Sequence, residues 1–161
     1  MTTEVPVKLR SATVADLPAV NAIIDAAVMT WELPERVKRL ALPVYRYNTQ
    51  DLDFLELIVA LDSDGHSRGV AGLEPADAAE APASSQPLLL HGIYVLPDWQ
   101  RCGIGRRLLQ ASAAAARRRG FDSLLVKAQA GAEAFFRHQG FASLPATNPE
   151  RDYPHRFWRP V

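Results

Sequence analysis

The chain has 161 residues, enough for one domain with a core of its own. Lys plus Arg and Asp plus Glu number 18 each, and 48% of residues are hydrophobic. That neutrality excludes a global pull toward nucleic acid or an anionic membrane, so affinity for an anion has to come from a local cluster.

Cys102 is the only cysteine, which rules out an internal disulfide and fits a reducing compartment. The opening "MTTEVPVKLRS" has no apolar run of the signal-peptide kind, and no segment approaches the roughly 20 apolar residues that span a bilayer. The expectation is a cytoplasmic protein folded as a single domain over residues 1–161, making no contact with membrane or nucleic acid.

In chain order, "VPVKLR" (5–10) alternates as a strand does. A helix follows, with Thr13 opening a turn, Asp16 at the cap and Pro18 in the first turn. Leu17, Val20, Ile24 and Ala27 fall on one of its faces. "LPERVKRLAL" (33–42) is a second helix, started by Pro34 and ended by Pro43. "YRYNTQD" is loop. Residues 54–75 read as two strands around a turn at Asp62 to His66. The Ala-, Pro- and Ser-rich 76–87 segment reads as surface loop. "LLLHGIYVL" (88–96) is a central strand, apolar apart from His91.

Residues 104–119 form a helix that buries Ile104, Leu108, Leu109 and Ala116, with Gly120 as its C-cap. "SLLVKAQ" is a strand. "AEAFFRHQ" is a short helix stopped by Gly140, and "FASLP" and "HRFWRP" are closing strands. The order is β-α-α-β-β-β-α-β-α-β-β, an α/β fold with a mixed sheet.

Within this order the stretch "PDWQRCGIGRR" (97–107) stands out. Glycine is a poor helix former, and arginine is poorly placed at a helix N-terminus, where the dipole is already positive. Both become sensible if the turn cradles an anion. Glycines let successive N–H groups point inward, and the anion cancels the charge of Arg101, Arg106 and Arg107. The alternative is an ordinary turn followed by good helix formers. A P-loop needs Lys and then Ser or Thr where Arg106 and Arg107 stand. A dinucleotide fingerprint needs a third glycine where Leu108 stands.

The stretch instead resembles the pyrophosphate loop of the GNAT superfamily of acetyl-CoA-dependent N-acyltransferases. That loop follows Q/R-x-x-G-x-G/A, matched by Gln100, Gly103 and Gly105. Further on, "QAGAEAFFRHQGF" is similar to the family's N-x-x-A-x-x-x-Y followed by G-F. Ala132, Gly140 and Phe141 match, while Gln129 replaces the Asn and Phe136 the Tyr. "KLRSATVADLPAV" looks like the family's first strand and helix.

The resemblance implies a mostly antiparallel central sheet flanked by helices. It also implies acetyl transfer from acetyl-CoA to a primary amine, with a small molecule as acceptor, and it implies no metal. The cofactor-binding positions it marks are Ile93, Tyr94 and Val95 on the strand, Gln100, Arg101, Cys102, Gly103, Ile104, Gly105 and Arg106 on the loop, and Phe136.

Such a reaction needs a base to deprotonate the ammonium and an acid to protonate the departing thiolate. His91 is the first candidate for the base, against the reading of a core histidine. Glu56, Glu74 and His155 stand behind it. Phe136 has no hydroxyl, so the family's acid does not carry over, and Tyr153 or Tyr94 are the substitutes. A covalent role for Cys102 is the weaker reading, because no histidine adjoins it. Trp31, Tyr45, Tyr47 and Trp158 are either acceptor-pocket aromatics or core. The closing strand is apolar enough for a homodimer. The competing function is an acyl-CoA-binding sensor or scaffold without turnover, which the Phe136 departure favours.

Overall fold

The structure is a computed structural model and describes residues 4–145, 153 and 155–161. Seven strands and four helices occur among them in the expected order. They are β1 (Lys8–Ser11), α1 (Leu17–Met29), α2 (Glu35–Tyr45), β2 (Glu56–Leu61), β3 (Ser67–Pro75), β4 (Pro87–Val95), α3 (Ile104–Arg118), β5 (Ser123–Lys127), α4 (Glu133–His138), β6 (Ala142–Leu144) and β7 (Arg156–Pro160). The strands hydrogen-bond in the order β1-β2-β3-β4-β5-β7-β6. β1 with β2, β5 with β7, and β6 with β7 are antiparallel, whereas β4 and β5 are parallel. Contacts divide the chain into two compact units, Met1–Gly72 with Ile93–Ala111 and Leu73–Gly92 with Ser112–Val161.

In the first unit, α1 buries Leu17, Val20, Ile23, Ile24, Ala27 and Val28 against Leu57 and Val59 of β2, Val70 of β3 and Tyr94 of β4. Each fully buried aliphatic side chain of this kind stabilises by about 1.5–3 kcal/mol. Asp16 holds the cap position of α1 without bonding the helix's own N–H groups. Its carboxylate instead accepts from the Thr13 N–H at 2.7 Å and from both terminal nitrogens of Arg10, at 2.8 and 2.9 Å. β1 starts at Lys8 rather than Val5, because the Val5 N–H donates to the Cys102 carbonyl (3.0 Å) instead of to a strand. α2 runs past Pro43 to Tyr45. A proline this close to a helix end removes only one late hydrogen bond, and Arg46 N–H still reaches the Leu42 carbonyl at 3.1 Å.

In the second unit a phenylalanine cluster joins the buried Leu88, Leu90, Leu124 and Leu125 in the core. The Phe136 ring stacks on Phe157 (6.2 Å) and meets Phe141 edge-on (5.4 Å). Gly120 and Gly140 stop α3 and α4 as expected, each with a positive φ followed by a phenylalanine N–H that returns to the helix. Phe54 belongs to a turn and not to β2, since its N–H bonds back to Asp51. The 76–87 loop carries a short turn, Ala78–Glu80, capped by Asp77.

Candidate functional site

The loop between β4 and α3 lies in the first unit. Trp99 N–H closes a tight turn on the Leu96 carbonyl (2.8 Å), and Leu96 N–H is held by the Arg68 carbonyl (2.9 Å). The Arg68 guanidinium lies 4.4 Å over the Trp99 ring. Gln100 turns back so that its Nε2 donates to the Val95 carbonyl at 3.1 Å, tying the loop to the end of β4.

The backbone then takes left-handed conformations at Arg101 (φ 61°) and Gly103 (φ 85°), with Cys102 between them. That conformation is uncommon for an arginine and marks a site held by its surroundings. A Cβ at Gly103 would stand 3.2 Å from the Glu4 Cγ in addition to the left-handed strain.

The first hydrogen bond of α3 runs from Arg107 N–H to the Gly103 carbonyl (3.0 Å). The N–H groups of Ile104, Gly105 and Arg106 therefore have no place in the helical ladder. Left-handed turns followed by free helix N–H groups form a nest for an anion. The structure already brings an anion to it, since the Glu4 carboxylate pairs with Arg106 beside Gly103. Arg107 donates to the Val7 carbonyl at 3.4 Å. The Cys102 thiol donates to the Gln100 carbonyl at 3.5 Å, a contact internal to the turn.

Of the strand positions before the loop, Tyr94 points its ring into the α1 core, 6.5 Å from Tyr45, and burial pushes its phenol far above the ordinary value. That makes its hydroxyl a poor proton donor, and only its backbone remains available. Ile93 and Val95 are half-buried. Trp31 meets Tyr45 edge-on at 5.4 Å, so Trp31, Tyr45 and Tyr94 form one aromatic group. Tyr47 is core, with its hydroxyl packed against Gly72.

Glu56, on β2 in the same unit, accepts from the Ser11 hydroxyl at 3.5 Å, and the remaining candidates lie in the second unit. β4 pairs in parallel with β5 from Pro87↔Ser123 to Leu90↔Val126, and His91 is the next residue of β4. His91 is accessible, with 35% of its side chain exposed, so it is not a core histidine. Its Nε2 lies 4.0 Å from the Glu74 carboxylate on β3. Past the end of β5, Ala128 N–H donates to the His155 carbonyl (2.9 Å) and its own carbonyl accepts from the Tyr153 hydroxyl (2.9 Å). His155 Nδ1 contacts Glu133 Oε1 of α4 at 2.5 Å.

Gln129 folds back to accept from the Gly131 N–H at 2.7 Å, capping the turn before α4. Phe136 is buried in the aromatic core. Trp158 sits on β7 between Leu125 and Ala142.

Sequence reasoning missed two groups here, Glu4 and the Glu133–His155 contact. The described residues also bring Asp62, Asp64 and His66 together. This group locks the β2–β3 turn: one Asp62 oxygen accepts from the Asp64 and His66 N–H groups, and the other accepts from Arg68 at 2.7 Å.

The comparisons with known proteins bear on the family and the fold. The family profile described as acetyltransferase (GNAT) domain matches residues 54–143, so the chain belongs to the GNAT acetyltransferases. No curated protein sequence matches it significantly. Among solved structures it is similar to the PaiA N-acetyltransferase of Thermoplasma acidophilum in complex with coenzyme A. That match has TM-score 0.74 and 13% identity, over 97% of this chain and 99% of that one. A GCN5-related N-acetyltransferase of Rhodopseudomonas palustris gives TM-score 0.76 and 19% identity, over 100% and 99%. A phosphinothricin acetyltransferase of Sinorhizobium meliloti in complex with acetyl-CoA gives 0.64 and 22%, over 96% and 88%. At these identities the likeness shows the fold. No helix among the described residues is long and apolar enough to cross a membrane.

Proposed function

We propose that the protein transfers the acetyl group of acetyl-CoA directly to the primary amine of a small molecule, acting in the cytoplasm as one acyltransferase domain. The observation that carries this reading is the nest at Arg101 to Arg106, two left-handed residues leading into unbonded helix N–H groups. A pyrophosphate matches it in charge and in its number of acceptor oxygens. Arg101 and Arg106 add charge, Gln100 keeps the loop shut on Val95, and Cys102, Gly103, Ile104 and Gly105 offer backbone N–H groups. The backbone of Ile93, Tyr94 and Val95 aligns the pantetheine arm. A backbone N–H aimed at the developing oxyanion is worth about 3 kcal/mol in transition-state stabilisation.

His91 is the general base. A lysine-like ammonium has a pKa of about 10.4 and attacks only after losing a proton, and an imidazole accepts one near neutrality. Glu74 stabilises the imidazolium that results. The half-buried rings of Trp31 and Tyr45 suit a cationic acceptor.

The second reading is an acyl-CoA sensor without turnover. Its support is Phe136, a core phenylalanine where the family often has a tyrosine. Calorimetry with acetyl-CoA, followed by single-turnover thiol release with a panel of small amines, separates the two. The transferase reading expects binding and release of coenzyme A thiol that depends on an amine. Binding with no release on any amine favours the sensor, and no binding defeats both.

A further inference from the structure

An anion nest depends on which way its peptides face, and one peptide of this loop is held from outside it. Between the two left-handed residues Arg101 and Gly103, the Cys102 carbonyl accepts from the Val5 N–H at 3.0 Å. The peptide that follows it is trans, and in a trans peptide the C=O and the next N–H point in opposite directions. A donor on the Cys102 oxygen therefore turns the Gly103 N–H away from Val5. That N–H has no hydrogen-bond partner among the described residues. We infer that the backbone N–H of Val5 is a positioning group for the cofactor, holding the Cys102–Gly103 peptide so that the Gly103 N–H is presented to the anion. The inference rests on the reading above that this loop takes the pyrophosphate of acetyl-CoA, and it applies to the transferase and to the sensor alike.

This peptide needs a hold. Glycine adopts positive and negative φ with similar ease, so a peptide that ends on Gly103 flips at little steric cost. A flip exchanges an inward N–H for an inward carbonyl, whose partial charge repels an anion. The bond from Val5 selects the one orientation that attracts it.

The local sequence makes the segment that carries Val5 a stiff arm. In "EVPVK" (4–8), Pro6 has a fixed φ and biases Val5 before it toward extended backbone, and Val5 and Val7 are β-branched. Burial alternates as it does along a strand, with Val5 and Val7 half-buried and Glu4 and Pro6 exposed. The arm is anchored beyond Val7 by β1, where Lys8 pairs with Leu61 of β2. Arg107 of α3 ties it a second time through the Val7 carbonyl at 3.4 Å. Arm, loop and the start of α3 all belong to the first unit. Glu4 on the same arm acts with the opposite sign, since its carboxylate pairs with Arg106 and competes with the anion that the neighbouring backbone helps to receive.

The test is calorimetry of the full chain with acetyl-CoA, with a melting curve for each variant. Val5→Pro removes the N–H and keeps an extended backbone. Its Kd for acetyl-CoA should rise about fivefold to tenfold, the scale of one lost hydrogen bond, while the melting temperature stays within about 4 °C of wild type. Val5→Ala keeps the N–H and should bind within about twofold of wild type. Val5→Pro combined with Gly103→Leu acts on the same peptide, so it should bind within about twofold of Gly103→Leu alone instead of multiplying the two losses, as independent structural damage would. The wild type supplies a readout that needs no variant. By reciprocity, bound acetyl-CoA strengthens the Val5–Cys102 bond by the factor that the bond strengthens binding, so exchange of the Val5 amide should slow about fivefold at saturation.

A folded Val5→Pro protein that binds as tightly as wild type overturns the inference. So does an equal loss in Val5→Ala, which assigns the effect to the side chain, or a Val5 amide whose exchange ignores the ligand. Wild-type protein that binds no acetyl-CoA overturns the cofactor reading itself, and the role of Val5 with it.

Discussion

The loop after β4 and the end of β5 use different materials for their tasks. The loop is built of backbone: two left-handed residues, the first N–H groups of α3, and a glutamine that closes the turn on Val95. The end of β5 is built of side chains brought in from β3, β4, α4 and the segment before β7. A backbone site survives most side-chain changes and fails only where a side chain alters the path of the chain. A side-chain site fails when a single nitrogen is lost, while binding persists. On the function proposed above, the first region governs affinity for acetyl-CoA and the second, through His91, governs turnover.

The largest expected effect that sharpens this division is at His91. His91→Gln should lower kcat by about 100-fold or more while calorimetry finds acetyl-CoA bound as tightly as before. A variant that loses affinity instead would break the division. Gly103→Leu comes next and should do the opposite. The left-handed φ and the 3.2 Å approach to Glu4 force the turn open, and acetyl-CoA affinity should fall at least about tenfold, read by calorimetry.

Asp16 lies at neither region and serves as the control. Arg10 above all, with the Thr13 N–H, holds its carboxyl at about 2, below the ordinary carboxylate range. Because the folded value is the depressed one, this contribution is complete above about pH 4 and is lost as pH falls toward 2. Asp16→Asn should cost about 1 kcal/mol at neutral pH, allowing for the exposed Arg10. It should also flatten the acid limb of the melting-temperature profile without changing kcat. The smallest effect is at Glu4. Its carboxylate occupies Arg106, so Glu4→Gln should tighten acetyl-CoA binding by about twofold to threefold at low salt, with the gain vanishing as salt screens the pair.

The same contrast explains what could be read from the residues alone. The loop is local: Gln100, Gly103 and Gly105 sit within six residues, and their identities dictate its turns. The element order was legible too, because apolar spacing along α1 and the glycines after α3 and α4 act over a few residues. Strand and helix edges were less so. Val5 leaves β1 for a distant carbonyl on Cys102, and Pro43 is tolerated because only the end of α2 lies beyond it. His91 was visible as a polar residue in an apolar strand, but its approach to Glu74 depends on strand pairing. The Glu133–His155 contact joins α4 to the segment before β7, 22 residues away, which no local pattern encodes. Glu4 was invisible for the same reason. The missing hydroxyl of Phe136 is plain in the sequence, and the structure adds that its ring is spent on Phe141 and Phe157.

The measurement that bears most directly on this account is calorimetric titration of the full chain with acetyl-CoA, beside the Gly103→Leu variant. The account predicts micromolar binding by the wild type and at least a tenfold loss in the variant. Wild-type protein that shows no binding at millimolar acetyl-CoA, or a variant that binds as tightly as wild type, would contradict the assignment of the β4–α3 loop as the cofactor site.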